Sequence, residues 1–300
     1  MGCLAAKQGL RLLLGRCSRD DAYALVRHEV NKRLQEKYAG VLAKSKTEYD
    51  SKVFTQERSK KVWVCWLQGF EKAPEIVKVC QQSLKRHLTD REIIQLTYEN
   101  YTDYVTLPEY IVKKYEKGKI PPALFADLLR LEVLIRYGGT WMDASILCTG
   151  FTEPNVQKAK KCLDANLFMF QALRKGDKTF YGTSNWFITA CTNSRPLMVL
   201  RDVLCQYWND YSVTLNYYMF HDFFYAIAQL FPEEIAAMPR KNRIFPLLLM
   251  NRMAEPYDEG WWKEFTDHVC FHKLCWRVSE DVKSNEGNFY NSILNGNQLT

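Results

Sequence analysis

Apolar residues recur every three or four positions at Tyr23, Val26, Val30, Leu34, Tyr38 and Val41. That spacing predicts one amphipathic helix over residues 20–46, with Asp20 or Asp21 as its cap. A polar stretch, residues 45–61, reads as the join between this helix and the main domain. The run VWVCWL at 62–67 is short, apolar and aromatic, ends just before Gly69, and predicts a buried first strand. Beyond it the pattern predicts a helix over 74–87, a strand over 92–96 and a helix over 108–115.

The strongest helical signal is PALFADLLRLEVLIRY, residues 122–137, with prolines at its first turn and Gly138 and Gly139 just past its end. TWMDASIL, starting at Thr140, is strand-like. Strands are then expected over 167–173 and 186–191, and helices over 196–211 and 217–230. Alternating strands and helices predict an α/β fold with a mainly parallel central sheet flanked by helices, and ligands at the carboxyl ends of its strands. The chain divides into a helical N-terminal extension (1–55), one catalytic domain (56–280) and a polar, Asn-rich tail (281–300) expected to be loosely ordered.

Charge narrows the class of partner. With 41 basic against 34 acidic side chains the formal net charge is +7, which favours anionic ligands. No run of Lys and Arg interleaved with aromatics forms a nucleic-acid platform, so nucleic acid is not an expected partner. The ten cysteines form no CxxC pair, and Cys65, Cys80, Cys191 and Cys205 sit in apolar or helical surroundings, which points to a reducing, cytoplasmic compartment. No apolar run approaches the roughly 18 residues that span a bilayer. The first 19 residues are basic and carry several leucines without the features of a signal peptide, and such a segment can lie on an anionic membrane.

Candidate chemistry gathers in and after the 122–137 helix. Asp127 and Arg130 are three residues apart and share a helix face, yet the helix is apolar around most of its circumference. Charges buried there need partners, and an anionic or polyhydroxyl ligand is one. Tyr137-Gly138-Gly139 then turns the chain, and Asp143 emerges close behind. A separate cluster, His268, Cys270, His272 and Cys275, has the alternation of a strand and no second half-site, which argues against structural zinc.

The run ADLLRLEVLIRYGGTWMDASI resembles the core motif of the capsular polysaccharide synthesis family. It is more distantly similar to DXD sugar transferases, among them Golgi-type mannosyltransferases and glucosylating toxins. The likeness covers residues 62–276 through VWVCWLQG, LTYENYTDYVTLPEYI, NWFITA and FHKLCW, and is dense up to Thr149.

The resemblance implies a GT-A, Rossmann-like nucleotide-sugar-binding fold. It implies transfer of a sugar from a nucleotide-sugar donor, UDP-linked, to a glycan or lipid-linked glycan acceptor in capsular or surface polysaccharide synthesis, with retention at the anomeric carbon. Trp66, Gln68 and Gly69, joined by Trp63, would meet the nucleobase. Asp127 and Arg130 would hold the donor sugar and its phosphates beside Gly139, while Asn185 and Trp186 would approach the transferred sugar. The DXD motif reads Asp143-Ala144-Ser145, lacking its second acid, and implies Mn²⁺ or Mg²⁺ held by Asp143 with Ser145 and His272. Catalysis would rest on Asp127, Arg130 and Asp143, and Asn216 stands where relatives carry an acid on the acceptor side. Peripheral contact with the inner face of the membrane through residues 1–19 completes the expectation. The competing readings are a weak or inactive nucleotide-sugar-binding protein and a metal-dependent sugar-phosphate transferase.

Overall fold

In the computed structural model, which describes residues 19–173 and 182–296, strands and helices alternate much as the apolar pattern predicts. Helix α1 (Arg19–Asp50) leads into strand β1 (Lys61–Cys65), helix α2 (Glu75–His87), strand β2 (Glu92–Leu96) and helix α3 (Glu109–Glu116). Helix α4 (Pro122–Tyr137) precedes strands β3 (Gly139–Met142) and β4 (Ile146–Cys148), helix α5 (Glu153–Leu163) and strands β5 (Leu167–Gln171) and β6 (Thr183–Ala190). The remainder is helical, α6 (Arg195–Asp210), α7 (Met219–Ala228), α8 (Pro232–Ala237), α9 (Leu248–Arg252) and α10 (Glu259–His268), except for strand β7 (Phe271–Lys273). Two short helices, α11 (Glu280–Ser284) and α12 (Phe289–Leu294), close the described chain.

Five strands form the central sheet in the order β2-β1-β3-β6-β5. β1 pairs in parallel with β2 and β3, while β6 is antiparallel to both β3 and β5, so four of the five strands point the same way. The expected mainly parallel α/β sheet is present, with β6 as its reversed member. The sheet is covered on both faces, so β1, β3, β5 and β6 bury residues on both sides, and the edge strand β2 is less buried. Along β1, Trp63 enters one core with Leu96, Trp141 and the apolar face of α4, while Val62 and Val64 enter the other with Met142, Phe168 and α2.

Strand ends shift by up to three residues, as where β6 begins at Thr183 rather than at 186, and three larger differences from the sequence-based expectation stand out. α1 continues through the presumed join to Asp50, because Tyr38 and Tyr49 are buried and Tyr49 donates to Asp202 Oδ2 on α6 at 2.6 Å. TWMDASIL is two strands in two sheets, divided by a turn in which the Ile146 amide donates to the Asp143 carbonyl at 2.9 Å. The tail is packed up to residue 296: Phe289 and Ile293 are fully buried in the second core, and burying such side chains stabilises by roughly 1.5–3 kcal/mol each. Most of the basic leader, residues 1–18, lies outside the described residues. Among the described residues no helix is long and apolar enough to cross a membrane.

Candidate active site

Helix α4 builds one wall. Pro122 occupies its first turn, where the missing N–H costs nothing, and Gly138 ends it at φ +64° while donating to Leu134 O at 2.9 Å. Leu124, Phe125, Leu128, Leu129, Leu131 and Leu134 are buried around this helix, and their packing carries Asp127 and Arg130 inside with them. Gly139 follows at φ +98°, and a Cβ there would stand 2.3 Å from the Lys61 carbonyl oxygen. Only glycine lets β3 approach β1 this closely. β3 then delivers Asp143, whose amide donates to Trp186 O on β6 at 2.9 Å.

One guanidinium ties these walls together. Arg130 pairs through Nη1 with Asp127 Oδ1 and donates through Nη2 to Asp143 Oδ1 at 3.1 Å. Its Cζ lies 4.7 Å from the Trp141 ring centroid, and the Trp141 indole N–H donates to the same Asp143 oxygen at 3.0 Å. Asn185 Nδ2 donates to Asp127 Oδ1 at 3.0 Å. Burial pushes the Asp127 carboxyl up to about 6, although Arg130 and Asn185 pull the other way. Burial also pushes the nearby Cys65 thiol up to about 12, which leaves it neutral and a poor nucleophile.

Of the residues singled out in the sequence, Trp66, Gln68, Asp127, Arg130, Asp143, Ser145 and Asn185 line one cavity of about 470 Å³. It opens beyond the carboxyl ends of β1 and β3, the position an α/β sheet offers to ligands. Trp63, Gly69, Gly139, Trp186 and His272 are not among its lining residues. Trp63 is fully buried, donates its indole N–H to Gly138 O at 2.9 Å and packs against Tyr104 and Tyr137, so it has no free face for a base. Gly69 serves a left-handed turn at φ +86°, and Gly139 serves strand contact. Trp186 stacks on Phe170 with ring centroids 4.9 Å apart, and acts on the site only through its carbonyl.

His272 is the sharpest correction. It is fully buried, bonds Thr149 Oγ1 through Nε2 at 3.1 Å and packs against Trp262 and Phe265. Burial drives its imidazole down to about 3, so it is neutral. Side chains alternate along a strand, so it is the neighbouring Lys273 that enters the cavity. Lys273 Nζ lies 2.6 Å from Ser145 Oγ, 3.3 Å from Leu274 O and 3.7 Å from Asp143 Oδ2. Trp276 and Arg277, which the sequence did not single out as site residues, also line the cavity, as does Tyr217 of the acceptor-side segment beside Asn216. The alternation of β7 was the available signal for Lys273.

The donor set can be judged as a metal site. Among the described residues no three His, Cys, Asp or Glu side chains gather within reach of one ion. Asp143 Oδ1 already accepts from Arg130 and Trp141, and Oδ2 faces an ammonium. Ser145 donates to Leu274 O at 2.9 Å and accepts from Lys273. With His272 turned away, the residues present do not fit a divalent cation, which prefers several free oxygen ligands and no cation beside them.

The cavity holds three cations, Arg130, Lys273 and Arg277, against two carboxylates, Asp127 and Asp143. A larger, mostly apolar groove of about 720 Å³ along Phe170, Phe245, Trp261 and Phe265 contains none of the sequence-derived site residues.

No curated protein significantly matches this chain. Among solved structures similar to it is the PaToxG glycosyltransferase, at 13% identity and a TM-score of 0.40, covering 71% of this chain and 83% of that one. The family model described as "Capsular polysaccharide synthesis protein" matches residues 14–293, nearly the whole sequence. The chain therefore belongs to the capsular polysaccharide synthesis protein family.

Proposed function

We propose that this protein is a glycosyltransferase that moves a sugar from a nucleotide-sugar donor to a glycan acceptor in capsular or surface polysaccharide synthesis. The observation that carries this reading is the convergence of Trp66, Asp127, Arg130, Asp143 and Asn185 in one cavity with an excess of positive charge. In this reading the half-buried Trp66, edge-on to Trp276 at 5.4 Å, offers its face to the nucleobase. Asp127 accepts from sugar hydroxyls, and Arg130 holds both carboxylates in place. As the anomeric C–O bond breaks, its electron pair leaves with the diphosphate, and fixed positive charge in the cavity stabilises that anion. The acceptor hydroxyl forms the new bond, and its proton passes to the departing phosphate.

Tyr217 lines the cavity yet is 70% exposed, and neighbouring Tyr218 is 47% exposed, which supports an aromatic rest for an acceptor sugar at the mouth. A uridine diphosphate leaving group, retention of configuration and a lipid-linked acceptor come from the family resemblance and belong to the same proposal. So does membrane contact through residues 1–19, for which unchanged liposome binding after their deletion is the adverse result.

The central test uses the full chain against a panel of nucleotide sugars, following melting temperature and release of nucleoside diphosphate. One donor should raise the melting temperature and be turned over, and Trp66→Ala should weaken both effects. If no nucleotide sugar does either, the donor-site reading fails. Turnover of a donor that releases nucleoside monophosphate would replace it with a sugar-phosphate transferase.

A further inference from the structure

Resting on the donor-site reading above, we propose that Lys273 supplies the positive charge against the donor diphosphate that the family resemblance assigns to a divalent cation. In the Asp143-Ala144-Ser145 turn, the position of the motif's second acid holds Ser145, whose hydroxyl accepts from Lys273 Nζ at 2.6 Å. The missing carboxylate and the added ammonium therefore coincide in space.

The same ammonium is 3.7 Å from Asp143 Oδ2, close enough for ion pairing but beyond hydrogen-bond reach. An ammonium has three donors, and Ser145 Oγ and Leu274 O take two. One N–H is left for an incoming anion. Lys273 is anchored from two directions: β7 pairs Ile146 with Lys273 across the small sheet, and the Ser145 hydroxyl donates to Leu274 O. A point charge fixed in this way needs little rearrangement when the diphosphate arrives. Arg277 lines the same cavity and adds a further cation to it.

The consequence is a donor site that works without a divalent ion. Calorimetric titration of the full chain with UDP, GDP, CDP and ADP, each in excess chelator and again in Mn²⁺, tests this directly. Wild type should bind one of these nucleotides in chelator, with affinity in Mn²⁺ within about threefold. Lys273→Met should weaken that binding by roughly tenfold or more, the usual scale for losing a hydrogen bond to a charged group, and Lys273→Arg should restore most of it.

Wild-type binding that appears only with Mn²⁺ overturns the inference, and that measurement needs no variant to fold. A Lys273→Met protein that melts normally and binds as wild type overturns it too. Either result leaves the nucleotide-sugar reading standing. No binding of any nucleoside diphosphate in either condition brings down both.

Discussion

Arg130 and Asp143 meet across the cavity, Nη2 to Oδ1 at 3.1 Å, while the same guanidinium pairs with Asp127 one helical turn away. A residue of helix α4 thereby holds two carboxylates from different elements at a fixed separation. Both Arg130 and Asp127 are deeply buried, with relative exposures of 4% and 5%. Arg130→Met should therefore leave an uncompensated buried carboxylate and destabilise the fold by about 3–5 kcal/mol. Arg130→Lys should recover only part of this, because a single ammonium cannot span both oxygens as a planar fork does. Chemical denaturation of the two variants is the check, and a loss under about 1 kcal/mol for Arg130→Met would contradict the bridging role.

Donor affinity should fall as the pH drops through 6. Burial raises the Asp127 carboxyl from its ordinary value to about 6, so the hydroxyl-accepting carboxylate is present above that pH and lost below it. The sign for stability is opposite: a raised carboxyl makes the ionised form a cost to folding above pH 6, relieved on protonation. Nucleotide-sugar titrations between pH 5 and 8 should show this limb in wild type, and Asp127→Asn should bind weakly with no such limb.

Two tryptophans three residues apart should behave in opposite ways. Trp63→Ala removes a fully buried ring and its bond to Gly138 O, for an expected stability loss of about 3–5 kcal/mol. Trp66→Ala empties the cavity wall, and should weaken donor binding by roughly tenfold with little change in melting temperature. Measuring melting and donor affinity on both variants settles the assignment. A binding defect confined to Trp63→Ala would reverse it.

His272 should govern acid stability without touching nucleotide binding. Its imidazole is held down at about 3 by burial, whereas in the unfolded chain it takes up a proton near 6.5. The unfolded state thus binds more protons as pH falls below 6.5, and this residue should remove up to about 1.4 kcal/mol of stability per pH unit until about pH 3. His272→Gln should flatten that part of the stability profile relative to wild type. An unchanged profile, or a lost nucleotide site, would place the imidazole elsewhere than against Thr149.

Helix α4 and strand β2 could be read residue for residue from the chain. Prolines at the first turn, the Gly138 stop and the apolar run between them act over a few neighbouring positions. The pairing of Asp127 with Arg130 follows from the same helical period, and the motif around Asp143 drew attention to the right turn. Asp127, Arg130, Asp143 and Ser145 reach the cavity for these local reasons.

What was hidden depends on partners far along the chain. Trp63 and Trp66 look equivalent in VWVCWL, but pairing of β1 with β3 and β2 sends one into the core and leaves the other at the strand's end. His272 and Lys273 differ by a single step, and the register of β7 on β4, set against residues 146–148, decides which is buried and which lines the cavity. A strand carries side chains on alternate sides, so a shift of one residue exchanges them. Such a register is chosen by packing among distant segments, and spacing within the segment alone leaves both choices open.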